Sequence, residues 1–175
     1  GANSNVDSDV NSSGVTSCMN IGYGQILDSI DAGIIEFSKI GDYIWNDTNA
    51  DGVQNFGENG FAGVTVQLID KLTNNVQRTF STGTNGQYSF DKFMPGQYFV
   101  KYTLPSDYKF TSANIGNDFA DSDVDGSNGL GTTAITYLSP GEDDRSWDAG
   151  AYKCAVVSGD VWYDLNKDGI YQDIE

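Results

Sequence analysis

The sequence predicts an all-β protein that folds as a compact antiparallel β-sandwich. Short segments of the chain alternate polar with apolar residues, as half-buried strands do. Turn-forming residues separate these segments, and 21 glycines among 175 residues supply many of the turns. No segment sustains the period of an amphipathic helix. Together these patterns favour two packed sheets joined by short turns.

The predicted strands follow one another in order along the middle of the chain. The first covers residues 40–46 and places Tyr43 and Trp45 on one face. Turns at 73–75, 83–86 and 94–96 separate the strands after it, and the last two strands are expected to form a hairpin. The stretch 105–131 has little strand character, and a loop of that length is usually functional or held in place by something. The remaining predicted strands are 64–70, 76–82, 87–90, 97–104, 132–138 and 146–152.

The two ends of the chain resemble each other at an offset of 117 positions, as Trp45 and Trp162 illustrate. Asp31 returns in the same register as Asp148. We therefore divide the chain into the C-terminal part of one repeat (residues 1–38), one complete repeat (39–153) and the N-terminal part of a third (154–175). We expect a soluble piece processed or excised from a tandem array.

The charge of the chain limits its partners. There are 25 acidic residues against nine lysines and arginines and no histidine, which gives a formal charge of −16. Such a surface repels phosphate and anionic lipid, so we expect no nucleic-acid partner. No apolar run is long enough for membrane insertion. Divalent cations are the favoured partners, and the absence of histidine removes imidazole bases and most zinc sites.

A twelve-residue segment that begins at Asp47 has the spacing of an EF-hand calcium loop. Side-chain oxygens at positions 1, 3 and 5 converge on a hard cation, Gly52 permits the reversal at position 6, and a glutamate at position 12 closes the site. Asp, Asn and Gly also build polar turns without metal, which is the alternative. The loop follows a strand, so we expect no helices around it. The predicted ligands are Asp47, Asn49, Asp51, Val53, Asn55 and Glu58.

The same spacing returns near the C-terminus, again with glutamate at position 12. Two loops that both end in this way are difficult to explain as simple turns, so we predict Ca²⁺ at both. The ligands predicted for the second copy are Asp164, Asn166, Asp168, Ile170 and Glu175.

A second acidic cluster in the central repeat carries only the first half of the loop pattern. Asp121, Asp123 and Asp125 have the spacing, but Thr132 stands at position 12 and cannot close the site. Asp118, or an acid from the 142–144 turn, is a candidate for the missing ligand. Asp7 and Asp9 are the counterparts in the partial first repeat. A solvated acidic loop is the alternative, but so many carboxylates repel one another unless cations neutralise them.

Other constellations carry weaker signals. The acids at 142–144 follow a proline-glycine turn, so an exposed hairpin turn explains them better than a catalytic pair. Cys18 and Cys154 form no metal or redox motif, and a disulfide through them, within a chain or between neighbours, and two free thiols are both compatible with the sequence. Trp45 and Trp162 are expected to pack in the core rather than stack on a ligand.

Three segments resemble the B-repeats of bacterial serine-aspartate repeat surface proteins. They are GDYIWNDTNADGVQ at 41–54, GENGFAGVTVQLID at 57–70 and TNGQYSFDKFMPGQYFVKY at 84–102. The last also resembles collagen-adhesin B-type domains. The resemblance covers the central repeat and both flanking pieces.

This resemblance implies an immunoglobulin-like sandwich of about seven strands that is extracellular, stiffened by calcium and used as a stalk. By the same resemblance, one calcium is bound by Asp47, Asn49, Asp51, Val53 and Glu58, and a second by Asp121, Asp123 and Asp125. The lysine-asparagine isopeptide bond of many collagen-adhesin domains is not expected, because strand 64–70 lacks lysine and the last strand carries Asp148.

The sequence therefore predicts a non-enzymatic, calcium-stabilised structural repeat of an extracellular adhesin, surface stalk or filament. Its partners are neighbouring repeats or copies of itself, joined head to tail by strand complementation. The alternative is a glycan- or protein-binding module of a secreted enzyme or scaffold, which would recognise glycan through exposed aromatic residues such as Trp45 or Tyr88.

Overall fold

A computed structural model describes residues 8–165 and 167–171. All strands found in this part of the chain lie between Ser38 and Lys153. They are β1 (Ser38–Asn46), β2 (Thr65–Asp70), β3 (Val76–Ser81), β4 (Gln87–Phe93), β5 (Gly96–Thr103), β6 (Tyr108–Phe110), β7 (Thr136–Leu138), β8 (Asp143–Asp144) and β9 (Ala149–Lys153).

The strands form two sheets. The first has the order β4-β1-β9-β6, with the short β8 paired to the beginning of β1. The second has the order β3-β2-β5-β7. Most pairs are antiparallel, but β1 runs parallel to both β8 and β9. The all-β prediction is confirmed, and the sheets are rich in antiparallel pairs without being purely antiparallel.

The apolar core lies between the two sheets and follows the period of two that the sequence shows. Ile40 and Ile44 of β1 face the aliphatic residues of β2 and the aromatic residues of β4 and β5. The hydroxyls of Tyr88 and Tyr102 lie 2.6 Å apart inside this core, and the carbonyl oxygen of Trp147 lies 2.7 Å from the first and 3.2 Å from the second. One hydroxyl donates to the other, which in turn donates to this carbonyl oxygen. Their polar atoms are therefore satisfied at full burial.

The predicted final hairpin is wrong. β7 pairs with β5 in the second sheet, whereas β9 pairs with β1 and β6 in the first sheet. The connection between them, which contains β8, crosses from one sheet to the other. A further difference is β6, a three-residue strand inside the stretch expected to be loop.

Trp45 lies on the outer face of the first sheet and is nevertheless fully buried. Its indole ring lies over Gly150 of the neighbouring strand and beside Thr111, under the segment that leads to the acidic cluster. Both Trp45 and Tyr88 are inaccessible, so neither can stack on a glycan as the alternative function would require.

The parallel pairing of β1 with β9 fixes where the chain enters and leaves the sandwich. Ile44 pairs with Ala149 and Asn46 with Ala151, so both strands run in the same direction. We call the end where β1 begins the leading end, and the end where β1 and β9 finish the trailing end. The calcium-type loop lies at the trailing end, directly after Asn46.

We predict that Gly150→Ala destabilises the sandwich. The added methyl group would lie 2.7 Å from Cζ2 of Trp45 and 2.5 Å from Cγ2 of Thr111, and overpacking of this kind costs about 1–3 kcal/mol. Thermal unfolding of the full chain measures this cost as a lower melting temperature.

Gly33 provides the matched control, because it occupies the corresponding position in the first flank. A methyl group there would make only an ordinary 3.6 Å contact with Ser8. Gly33→Ala should leave the melting temperature unchanged, and equal effects of the two substitutions would contradict the packing described for Trp45.

Candidate metal centre

The calcium-type loop is held in place by the end of β1. Asp47 is buried, and its backbone N–H donates to the carbonyl oxygen of Ala151 at 2.9 Å, which extends the parallel β1–β9 pairing into the loop. At Gly52 the backbone turns with a φ of +86°, and a Cβ there would lie 2.6 Å from the carbonyl oxygen of Ser112. Only glycine meets both requirements, as the sequence pattern indicates.

The carboxylates of Asp47 and Asp51 organise the backbone of the loop. Asp47 accepts the N–H groups of Asp51 at 3.3 Å and Gly52 at 2.9 Å, and Asp51 accepts the N–H of Val53 at 2.9 Å. The Val53 N–H, and after it the side-chain amide of Asn55, lower the pKa of Asp51. Asp51 is therefore ionised at neutral pH.

The side chains of Asn49 and Asn55 both contact Asp51. Their side-chain amides donate to Oδ2 of Asp51, at 2.8 and 2.9 Å. The Asn55 amide also donates to the carbonyl oxygen of Val53 at 3.0 Å. Asp51 is therefore the residue that connects positions 3 and 9 of the loop.

Glu58 closes the loop with both carboxylate oxygens. Oε1 accepts the N–H of Thr48 at 2.7 Å, and Oε2 accepts the N–H of Asn55 at 2.9 Å. Position 12 therefore connects the beginning of the loop with its second half. A glutamate that reaches back in this way is suited to bidentate coordination of a cation.

The loop packs against the second acidic segment. The N–H of Gln54 donates to the carbonyl oxygen of Ala120 at 2.7 Å, and the N–H of Ser122 donates to that of Gly52 at 3.2 Å. Val53 and Asp121 form an isolated bridge between the two segments. Two acidic segments distant in the sequence therefore form one surface at the trailing end.

The second acidic cluster is buried beneath this contact. Asp121 and Asp123 are both buried, and Oδ1 of Asp121 has no hydrogen-bond partner among the described residues. Oδ2 of Asp121 accepts the N–H of Gly116 at 2.6 Å, and Oδ2 of Asp123 accepts that of Asp148 at 2.6 Å. A buried carboxylate oxygen without a partner is costly unless a cation or a proton satisfies it.

Asp148 and Asp42 belong to the same region, although the sequence analysis did not propose them as site residues. Burial raises the pKa of Asp148 to about 8, and Asp42 is the acidic neighbour that raises it most. Burial likewise raises the pKa of Asp123 to about 7, with Asp121, Asp118 and Asp144 as the carboxylates that contribute. The sequence signal for Asp148 was that it stands 117 positions after Asp31, at the offset that relates the two ends of the chain.

Asp125 is turned away from this cluster. It is exposed, and its carboxylate accepts the N–H and the hydroxyl of Ser127. Asp118 and Asp144, which the sequence analysis considered as sources of a missing ligand, are instead the acids that act on Asp123. The structure therefore brings Asp121 and Asp123 together and leaves Asp125 outside.

The segment that follows β9 reproduces the local bonds of the first loop. Asp164 accepts the N–H groups of Asp168 at 3.1 Å and Gly169 at 2.9 Å, and Asp168 accepts that of Ile170 at 2.8 Å. These are the counterparts of the bonds made by Asp47 and Asp51. The predicted ligands Asn166 and Glu175 lie outside the described residues.

The segment that precedes β1 reproduces several bonds of the acidic cluster. The N–H of Asp9 donates to the carbonyl oxygen of Asp31 at 2.8 Å, and the N–H of Asp31 donates to the carboxylate of Asp9 at 2.9 Å. Asp123 and Asp148 make the same two bonds with each other. Ser8 accepts the N–H of Gly33 at 3.2 Å, as Ser122 accepts that of Gly150. The predicted ligand Asp7 lies outside the described residues.

Within residues 8–165 and 167–171, no three Asp, Glu or Cys side chains are arranged to hold a metal ion by themselves. This holds for the three carboxylates of the first loop, Asp47, Asp51 and Glu58. The other predicted ligands of that loop are amide and carbonyl oxygens, which calcium also accepts. Cys18 and Cys154 are free thiols, so the two are not bonded within the chain. The acids at 142–144 lie in the turn and short strand after Ser139, where Asp143 pairs with Lys39 and Arg145.

Comparison with known proteins identifies the family. The profile of the SdrD B-like domain matches residues 38–151. The chain belongs to the SdrD B-like domain family. Serine-aspartate repeat-containing protein D of Staphylococcus aureus (strain MW2) is 43% identical over 145 residues, which cover 81% of this chain and 10% of that protein.

Other relatives agree with this assignment. Serine-aspartate repeat-containing protein F of Staphylococcus epidermidis (strain ATCC 12228) is 43% identical over 150 residues, covering 84% of this chain and 9% of that protein. The chain therefore spans about a tenth of the length of these relatives.

Among solved structures, the minor pilin GBS52 of Streptococcus agalactiae aligns with a TM-score of 0.46 at 12% identity, over 74% of this chain and 50% of the pilin. The described residues contain no helix long and apolar enough to cross a bilayer.

We predict that the metal-free SdrD B-like chain becomes less stable as the pH rises from about 5 to about 8. The folded-state pKa values of Asp123 and Asp148, about 7 and about 8, lie above the ordinary value of 3.8. The folded state therefore holds protons that the unfolded state has lost, and the free energy of unfolding falls as the pH rises through this window. Unfolding by urea in the presence of chelator, at several pH values, measures the slope.

Asp148→Asn should reduce the dependence of the free energy of unfolding on pH. It should also raise the melting temperature of the metal-free chain at about pH 8 by several degrees, since about 1 kcal/mol corresponds to about 2–4 °C in a domain of this size. The asparagine oxygen still accepts the N–H of Tyr43, as Oδ1 of Asp148 does at 2.9 Å. Asp91→Asn, at an exposed position of β4, is the control and should leave the slope unchanged. Stability that rises with pH would contradict the prediction.

Proposed function

We propose that this chain is a calcium-stabilised structural repeat of an extracellular adhesin or surface stalk. The observation that carries the proposal is the hydrogen-bonded ring of the first loop, in which the carboxylates of Asp47, Asp51 and Glu58 all accept backbone N–H groups of the loop. The donors are carboxylate, amide and carbonyl oxygens, which suit calcium. The names of the relatives, serine-aspartate repeat-containing proteins, support a place in a repetitive protein.

The acidic cluster supports a second cation beside the first. Asp121 offers a buried oxygen without a partner among the described residues, and Asp118, Asp121 and Asp144 raise the pKa of Asp123 beside it. Buried carboxylates repel one another, and a divalent cation removes both the repulsion and the cost of burial. We infer that calcium at the trailing end keeps these acids ionised in the folded protein.

The topology supports a stalk. Because β1 and β9 are parallel, the chain enters the immunoglobulin-like sandwich at the leading end and leaves it at the trailing end. Tandem copies connected in this way extend along one direction rather than folding back. The repeated contacts of Asp9 with Asp31 and of Asp164 with Gly169 support a partial repeat on each side of the complete one.

The protein partners in this proposal are neighbouring repeats or copies of the same chain. In strand complementation, the segment around Trp162 of one chain would pair with the segment around Gly33 of another. This pairing would copy that of Trp45 with Gly150 within the sandwich. No catalytic role is proposed, because the acids at the trailing end serve as cation ligands and structural acceptors. A location outside the cell, where calcium is abundant, fits this function.

We predict that calcium raises the melting temperature of the chain. At a concentration 100 times the dissociation constant, one site adds about 2.7 kcal/mol. This is a large part of the roughly 5–15 kcal/mol by which domains are stable. Thermal unfolding with millimolar calcium and with chelator, followed by tyrosine fluorescence and calorimetry, measures the shift.

Glu58→Gln should remove most of this shift, because the amide cannot coordinate a cation with two charged oxygens. Asp91→Asn again serves as the control and should retain the full shift. A melting temperature that does not respond to calcium in the unmodified chain would rule out the proposed function.

A further inference from the structure

We propose that consecutive repeats dock directly, the leading end of each repeat seated in an apolar groove at the trailing end of the repeat before it. This inference rests on the proposed function as a tandem-repeat stalk. It adds the partner surface and the stiffness of the joint, neither of which follows from calcium binding alone.

The groove lies between the ends of β5 and β6 and has a volume of about 730 Å³. Its walls are formed by the aliphatic side chains of Leu104, Pro105 and Leu130 and by the rings of Tyr108 and Phe110. Leu130 is 91% exposed, which is costly for a leucine unless a partner covers it. A concave apolar surface of this kind is typical of a binding site.

The chain itself brings the next repeat to this groove. The N–H of Cys154 donates to the carbonyl oxygen of Asp107 at 3.0 Å, which continues the pairing of Lys153 with Tyr108 on the groove wall. Whatever follows Cys154 therefore starts at the rim of the groove.

The repeat period leaves almost no linker. At the offset of 117 positions seen for Trp45 and Trp162, residue 155 corresponds to Ser38, and at the offset of 118 seen for Gly41 and Gly159, residue 156 does. Since β9 ends at Lys153, at most two residues lie between the last strand of one repeat and the first strand position of the next. Two residues span at most about 7 Å, so the two ends are forced into contact.

The joint before the complete repeat already shows such a contact. Phe37 occupies the linker position there, and Glu36 corresponds to Lys153. A methyl group added to Gly141 would collide with the Glu36 carboxylate, so the end of the preceding repeat lies against the 139–142 turn of the leading end. The N–H of Lys39 also donates to the carbonyl oxygen of Glu142 at 2.7 Å, which fixes this turn beside the first strand.

The leading end offers apolar side chains to fill the groove. Leu72, in the turn between β2 and β3, is 82% exposed, and Met94, between β4 and β5, is also exposed. Both turns lie at the leading end, because Asp70 pairs with Tyr98 near the start of β5.

The test uses the full chain with its repeat period duplicated, so that residues 1–154 are followed by residues 38–175. Cys18 and both copies of Cys154 are replaced by serine, and dyes are attached to cysteines introduced at Thr79 of each complete repeat. Single-molecule energy transfer in millimolar calcium then reports the distance between the two repeats. A docked joint gives one narrow distribution.

Five variants decide the result. A Gly-Ser-Gly-Ser insertion after position 154 should broaden the distribution about twofold, because the flexible linker releases the two ends. Leu130→Ser in the first repeat and Leu72→Ser in the second should each broaden it, and the double variant should add little to either. Ile135→Ser, an exposed apolar site beside β7, is the control and should have no effect.

The proposal is overturned if the insertion leaves the width unchanged, or if Leu130→Ser behaves like Ile135→Ser. It is also overturned if the 175-residue chain dimerises and Leu130→Ser abolishes the dimer, because the occupant of the groove is then a second molecule. These outcomes are independent of the calcium-dependent melting of the 175-residue chain, so failure of the joint and failure of the proposed function are distinguishable.

Discussion

The parallel pairing of β1 with β9 is the constraint on which the rest of the structure depends. It places Gly150 under the ring of Trp45 and extends into the calcium-type loop through the bond from Asp47 to Ala151. It also brings the buried carboxylate of Asp148 to the N–H of Tyr43. A parallel pair cannot be closed by a tight turn, so its two strands come from opposite ends of the repeat and enclose all other strands between them.

The same pairing also explains why acidic residues gather at the trailing end. The loop that starts at Asp47 lies on the segment that carries Asp121 and Asp123, so the acids concentrate at one end of the sandwich. Burial there raises the pKa values of Asp123 and Asp148, and neighbouring carboxylates add to the effect, so the ionised forms of these two acids are disfavoured. Calcium, in the function we propose, favours the ionised forms and makes the trailing end rigid where the next repeat begins.

Much of the fold follows from local patterns, and the errors concern which elements pair. The strands with clear alternation and clear turns, such as β2 to β5, lie within a few residues of their predicted positions. The final hairpin was wrong because alternation identifies a strand without naming its partner, and β7 and β9 belong to different sheets. Asp148 and Asp42 were missed as site residues for the same reason: they reach the acidic cluster only through the packing of β9 on β1.

The loops that begin at Asp47 and at Asp164 show separately what local sequence and what tertiary packing determine. The bonds within the loop that begins at Asp164 match those of the loop that begins at Asp47, although the sandwich strands lie only around the first loop. The sequence by itself thus determined the curvature of the loop, because Asp and Gly at fixed spacing satisfy nearby backbone N–H groups wherever they occur. Burial differs: Trp45 is fully buried and Trp162 is 38% exposed. Only the tertiary structure decided which tryptophan is packed and which acids are desolvated, because burial requires strands and segments that are distant in the sequence.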